Sequence, residues 1–484
     1  MPVTSLGRQF IASNVFTDWL AKGVGVLRLL VFIPIALAYF TPEELTVWFL
    51  IGAVSVFSLL LDFGMTATLT RYLAFANGGL VDFENVTAAY SSQASGKEEE
   101  LRSFKRSLYY TSKRIFFAVA ILVLFILLTV GSLAMKAPID RLASPSDGWL
   151  AWVVVLISLP VVNYGQRYQA ILRGSGLVPL ANLCEMGIGL SALAVSVLTL
   201  LLAKDLLAVV IANQSVLVIG MFALSIVVGR KIQDDALDGD GGELCFNYKL
   251  FRHMWQRSWR TALSIVSNVG LLHASGLLLA QYASAEMAAS YLLAQRILSC
   301  ACMFFSSPFS ASQPLFAVWR AKGQLNKLAG FAERRILISL VLIACILLPA
   351  GYFLTSGMSY LSKDVAFVPL LVWGYMVIFA AHERLVSFTV VICNSTNEIK
   401  FSWHFFFSAV LAVLICAWMT RAYGIIGFVF SFGLPRVLVF NWSSIRAAAE
   451  SLNVPFWQFL VKTSGLVILI FVCFAFILCI GSGV

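Results

Sequence analysis

The feature that most constrains this chain is a succession of apolar runs, each roughly 18 to 25 residues long, that fills nearly its whole length. A helix of that size rises about 1.5 Å per residue and so crosses about 30 Å of hydrocarbon. Of the 484 residues 60% are hydrophobic and only 12% charged, against about 45–50% apolar and 25% charged in soluble chains. Lipid, not water, is the main solvent. The reading is an all-α polytopic membrane protein with about 12–14 transmembrane helices.

The first spans are expected near Val15 to Tyr39, Thr46 to Phe75, Ile115 to Met135, Trp149 to Gln166, Leu180 to Ala203, Leu206 to Val228 and Thr261 to Tyr282. Six more follow at Met287 to Ser310, Ile336 to Thr355, Ala366 to Val391, Phe401 to Met419, Tyr423 to Trp442 and Ser464 to Ile480. Met1 to Asn14 is polar and lacks the charged, apolar and small-residue order of a cleavable signal, so the first helix is expected to be retained. With a cytoplasmic N-terminus, one set of connections receives about two dozen Lys and Arg and the other about five, which sets the orientation. The same rule accounts for the net charge of +10 without a nucleic-acid partner. Nine cysteines with no Cys-x-x-Cys pair read as small buried apolar groups.

The basic connections carry apolar residues at helical spacing, with Leu101, Phe104 and Leu108 in one and Phe251 and Trp255 in another. These segments are expected to lie flat on the inner leaflet. Ile232 to Gly242, IQDDALDGDGG, reads as a flexible acidic linker. It separates two blocks of six helices with a similar layout, which implies two lobes around a central cavity. The expected organisation is a lobe over 1–231, a cytoplasmic linker over 232–247, a second lobe over 248–443, and an interfacial segment with an extra C-terminal helix over 444–484.

A charge in hydrocarbon costs about 2.5–3.5 kcal/mol even on the lenient insertion scale, so each one needs a cavity, a partner or the interface. In the first span Asp18 and Lys22 share a face four residues apart, and Arg28 lies deeper. Arg296 in the eighth span is far enough from both interfaces to hinder snorkelling and is the leading candidate for a lumenal cation. His382, Glu383 and Arg384 follow one another in the tenth, where a pair between helices and a substrate contact are equally open. Lys22, Arg28, Arg296 and Arg384 are therefore the candidate anion-binding cations. Asp62 and Glu185 are the candidate coupling carboxylates, although each has the alternative of bonding a neighbouring helix. Ser264, Asn268, Ser275 and Tyr282 form a polar stripe that faces either water or a tight helix contact. Pro34, Pro160, Pro308 and Pro349 mark kinks or hinges.

No phosphate-binding Gly-x-x-x-x-Gly-Lys-Ser/Thr loop, no His-Glu-x-x-His, no Gly-x-Ser-x-Gly and no Cys/His metal spacing occurs in the sequence. The chain is expected to be neither an enzyme nor a user of a cofactor or metal.

Three stretches, LDFGMTATLTRYLAFANG, YQAILRGSGLVPLANLCE and SYLLAQRILSCACMFFSSPFSASQPLFAVWRAKG, resemble the Wzx-type polysaccharide flippases of the multidrug/oligosaccharidyl-lipid/polysaccharide exporter superfamily. The resemblance implies two six-helix lobes around a cavity and export of undecaprenyl-pyrophosphate-linked oligosaccharide across a bacterial inner membrane. The product would be an O-antigen or other lipopolysaccharide component, a capsule or an exopolysaccharide. It also implies that cavity arginines, here Arg28 and Arg296, hold the pyrophosphate or acidic sugars. The implied partners are membrane lipids, the lipid-linked oligosaccharide, a polysaccharide polymerase and chain-length machinery. The rival readings are a cation-coupled multidrug or metabolite antiporter of the same superfamily and a membrane polysaccharide polymerase or ligase. Short outward loops count against the latter.

Overall fold

The computed structural model describes residues 23–77, 98–236, 246–306, 309, 316, 319–320, 323–361, 365–394 and 402–481. Ten helices among them are long and apolar enough to cross a membrane. In chain order the elements are α1 (Gly23–Tyr39), α2 (Pro42–Leu60), α3 (Met65–Asn77), α4 (Arg102–Asp140), α5 (Pro145–Gly174), α6 (Val178–Ala203) and α7 (Leu206–Ala236). They continue with α8 (Tyr248–Ile265), α9 (Leu271–Tyr282), α10 (Ala285–Phe305), α11 (Leu325–Leu361), α12 (Leu370–Asn394), α13 (Ser402–Ser451) and α14 (Leu466–Gly481). Large apolar side chains such as Phe117, Ile121, Phe125 and Leu128 on α4 are exposed, as expected where the surrounding solvent is lipid. The chain is an all-α multi-pass membrane protein.

Several expected spans are re-drawn. Thr46 to Phe75 is two helices, because Leu61–Gly64 forms a turn with φ of 52° at Phe63 and 71° at Gly64. Asp62 closes that turn: Oδ1 accepts from the Gly64 amide at 2.7 Å and Oδ2 from the Thr66 amide at 3.0 Å, satisfying donors at the start of α3. The basic segments expected to lie on the inner leaflet are helical and continuous with the apolar helices that follow them. Residues 98–126 are one uninterrupted helix, and α8 continues through a π turn at Val266–Gly270 into α9. Neither Glu98–Ile126 nor Tyr248–Ile265 contains Gly or Pro, so nothing in them ends a helix. Ile232–Ala236 likewise belongs to α7 rather than to a linker, and the remainder, 237–245, lies outside the described residues.

The two spans expected on either side of residues 419–423 are two helices that meet at Gly424, whose φ of 59° and ψ of −140° favour glycine; both are included in α13. Gly427 sits directly against the Met419 carbonyl, where a Cβ has no room. The helix then runs to Ser451, so the start of the expected interfacial segment continues α13. A short turn of helix, Phe456–Leu460, and a π turn at Val461–Gly465 lead into α14. Pro308 lies outside the described residues.

The described chain divides into two compact units, and they are not contiguous halves. The first is Leu50–Ala262 with the described residues up to Arg28; the second is Leu29–Phe49 with the chain from Leu263 onward. The expected lobes over 1–231 and 248–443 are a division of the sequence and differ from these compact units. α8 up to Ala262 belongs to the first unit, where the Ser258 and Thr68 hydroxyls bond at 2.6 Å and Trp255 meets Phe63 edge-on at 5.7 Å. Leu29–Phe49 joins the second, where the Thr46 hydroxyl donates to Ala285 O at 3.0 Å and α1 packs on α11.

Within the first unit small and polar residues hold the helices. Asn163 donates to the Ser58 hydroxyl at 3.1 Å, the Ser158 hydroxyl donates to Gln214 Oε1 at 3.0 Å, and Gly174 lies against Leu73 and Thr70 O. Each such bond nets about 0.6 kcal/mol in a membrane bundle, so close packing carries the rest. In the second unit Trp373 is fully buried and donates from Nε1 to Leu347 O at 2.6 Å, in the turn before Pro349 of α11.

Candidate functional site

Three helices of the second unit converge on a cavity of about 130 Å³. From α12 it is lined by Met376, Phe379, Ala380 and Glu383, and from α13 by Val429, Phe432, Gly433 and Arg436. Both sets are spaced i, i+3, i+4, i+7, so each is one stripe of a helix, and on α12 His382 and Arg384 widen the lining on either side of Glu383. Gly433 allows the close approach, because a Cβ there would run into the Phe379 ring. α10 contributes Tyr291, Gln295, Leu298, Ser299 and Cys302, and Leu272 of α9 closes one side.

The cavity wall is charged. Glu383 Oε1 accepts from Arg384 Nη2 at 2.8 Å and Glu383 Oε2 lies 3.2 Å from Arg436 Nη1. Glu383 and Arg436 are 11% and 13% exposed and Arg384 is 27%, so the carboxylate is the better-sheltered member of the triad. Two guanidinium groups and one carboxylate leave this wall with one net positive charge. Behind it the polar groups are tied together: Gln295 Nε2 donates to Leu272 O at 2.6 Å and to the Ser275 hydroxyl at 3.1 Å, and that hydroxyl lies 3.1 Å from the Tyr291 hydroxyl.

The residues singled out from sequence are distributed unevenly around this site. Arg384 lines it; Glu383 and His382, read there as a helix–helix pair or a substrate contact, line it as well. Arg436 escaped notice in the sequence, although a lone arginine after Pro435 inside the apolar stretch FGLPRVLVF was the signal. Arg296 is half-buried with Nη2 3.5 Å from Phe49 O, and it is not among the lining residues. Arg28 begins the π turn Arg28–Phe32 and is exposed. Lys22 lies outside the described residues.

Asp62 caps α3 as described. Glu185 pairs with Arg173 at 2.8 Å, with side chains 55% and 37% exposed. Ser275 is buried in the α9–α10 contact, which is the helix-glue alternative for its stripe, while Tyr282 is exposed. The side chains of Ser264 and Asn268 lie outside the described residues. Among the described residues no group of three or more His, Cys, Asp or Glu is arranged to hold a metal ion.

A scan against protein-family models finds no match to this sequence, and a search of the curated proteins finds none either. Solved structures of membrane transporters share the fold. An inward-facing multidrug resistance MATE family transporter of that superfamily aligns over 91% of this chain and 95% of its own, with a TM-score of 0.64 at 13% identity. The lipid II flippase MurJ in an inward closed conformation aligns over 95% of this chain and 91% of its own, with a TM-score of 0.57 at 14% identity. A MOP superfamily transporter from Pyrococcus furiosus, described as having a binding pocket of reversed polarity, aligns over 92% and 96% with a TM-score of 0.56 at 13% identity.

Proposed function

We propose that this chain is a flippase that carries undecaprenyl-pyrophosphate-linked oligosaccharide from the cytoplasmic to the outer leaflet of a bacterial inner membrane, with its N-terminus in the cytoplasm. The observation that supports this reading best is the cationic wall in which Arg384 and Arg436 converge on one cavity. Arginine offers a planar fork of donors that suits phosphate oxygens, and a partly desolvated site strengthens each bond. At about 130 Å³ the cavity is well below the ~300–1,000 Å³ of sites for drug-sized ligands, so it suits a phosphate group and not a sugar chain. The sugars then need other polar surface, and the lipid tail stays in the bilayer. That MurJ, named as a lipid II flippase, has the same fold is consistent with such cargo. The carried unit would pass to a polymerase and its chain-length machinery. An inside-negative potential favours the outward step by about 2.3 kcal/mol per negative charge per 100 mV.

The test is the leaflet distribution of lipid-linked oligosaccharide in a deletion strain complemented with wild type, Arg436→Gln, Arg384→Gln or Arg296→Ala. The reading expects rescue by the wild type, failure of the Arg436 and Arg384 variants, and a milder defect for Arg296→Ala. An unchanged distribution in the deletion strain with surface polymer intact refutes it.

A second reading, a cation-coupled antiporter, is favoured by the carboxylate of Glu383 in the cavity wall and by the MATE neighbours. It expects Glu383→Gln to abolish ion-driven export of soluble compounds while leaving the leaflet distribution untouched.

A further inference from the structure

We propose that Glu383 is an internal counter-ion: it occupies Arg384 and Arg436 in place of the phosphate oxygens of the ligand and is displaced when that ligand enters. This rests on the reading that the cavity takes an anion. The two carboxylate oxygens are divided between the two guanidinium groups, at 2.8 and 3.2 Å. A phosphate presents acceptor oxygens at a similar spacing and with more negative charge, so it can replace the carboxylate on both arginines at once.

The construction of the triad favours release over permanence. Glu383 and Arg384 are consecutive on α12, and neighbouring helical residues point about 100° apart. Their bond therefore requires the arginine to fold back across its own helix, which other rotamers of its long side chain undo at little cost. Arg384 is the most exposed of the three. The wall behind is fixed by contrast, since Gln295 and Ser275 spend their hydrogen bonds on each other and on Leu272 O. Among the described residues the other titratable or charged groups that act on Glu383 are His382 on its own helix, Cys302 on α10 and His273 on α9.

A counter-ion that competes with the ligand has a signature opposite to that of a residue that binds it. Glu383→Gln keeps the shape, removes the competing charge and leaves both arginines in place. Inorganic pyrophosphate should then bind the purified full chain in detergent at least about tenfold more tightly than it binds wild type, whereas Arg436→Gln should weaken binding about tenfold or more. The assay is isothermal titration of pyrophosphate into wild type and each variant, repeated at two ionic strengths.

Tightening by Glu383→Gln together with weakening by Arg436→Gln supports the proposal. Binding that is weakened by Arg436→Gln but unchanged or weakened by Glu383→Gln overturns the counter-ion role while leaving the anion site standing. No binding by any of the three proteins overturns the anion site and this proposal with it. If Glu383→Gln does not fold, Glu383→Ala replaces it: it too removes the competing carboxylate and leaves both arginines, so pyrophosphate should bind more tightly than to wild type, and equal or weaker binding overturns the idea. Thermal unfolding adds a second readout, because pyrophosphate should raise the melting temperature of Glu383→Gln by more than that of wild type. A merely structural glutamate gives no such difference.

Discussion

The Glu383–Arg436 contact between α12 and α13 offers a quantitative test of how the second unit is held. Replacing Arg436 by Gln leaves Glu383 its 2.8 Å bond to Arg384 and removes the 3.2 Å contact with Arg436. A hydrogen bond to a charged group nets about 1.5–3 kcal/mol. Breaking a fully buried ion pair costs about 3–5 kcal/mol, and the 11% and 13% exposure of the two side chains argues for a lower figure. The single variant should therefore lose about 2–3 kcal/mol. In the double variant Glu383→Gln, Arg436→Gln the two amides can bond to each other and no charge is stranded between these positions. The double variant should then cost less than the sum of the singles by about 1.5–3 kcal/mol. An ordinary hydrogen bond between membrane helices averages only about 0.6 kcal/mol, so the cycle separates an ionic clasp from common helix glue. The measurement is unfolding of the full chain by SDS in mixed micelles for all four proteins. Additivity within about 0.5 kcal/mol would show that the pair stabilises nothing and refute the reasoning.

Three further outcomes follow from single contacts. Gly433→Ala forces a Cβ onto Phe379, whose ring also meets Phe430 edge-on at 5.5 Å, and should cost about 1–3 kcal/mol in the same unfolding assay. Asp62→Ala removes two caps from α3 and should cost about 0.5–2 kcal/mol, while Asp62→Asn retains part of that; equal stability of Ala, Asn and Asp at this position would contradict the capping role. Glu185→Gln breaks an exposed pair and should change stability by less than about 1 kcal/mol with the leaflet distribution unaltered, whereas complete loss of transport in a stable Glu185→Gln protein would make Glu185 a coupling carboxylate.

Hydropathy made the helices legible, because an apolar run long enough to span lipid has few alternatives in lipid. It was blind to breaks made by local chemistry. The turn at Leu61–Gly64 sits inside an apolar run and is set by one aspartate accepting two amides and by a glycine at positive φ. The continuation of α4 and α8 beyond the hydrocarbon was hidden for the opposite reason: charged residues end a hydropathy peak but do not end a helix. Depth alone also misdirected the choice of cation. Arg296 lies deep, but at 100° per residue the stripe from Tyr291 to Cys302 that lines the cavity covers an arc of about 100°, and Arg296 falls about 60° past Ser299. Arg384 was visible because it follows Glu383 in a polar cluster. Arg436 stood alone, and only the packing of α13 on α12 brings it to Glu383.

The two units use the same kind of contact with different chemistry. In the first, α5 and α7 are joined by the Ser158 hydroxyl and Gln214, both buried and both neutral. In the second, α12 and the part of α13 beyond Gly424 are joined by Glu383 and Arg436, and the contact lines a cavity. A neutral bond would hold the second pair of helices as well as it holds the first, and without the desolvation that an ion pair must offset. Helix association therefore does not explain why charge is kept at one junction and absent from the other. The proposed anionic ligand would explain it, since the arginines must be inside the bundle before the ligand arrives. Two partly buried guanidinium groups need a partner until then, and in the proposal Glu383 supplies one that a more highly charged anion would replace.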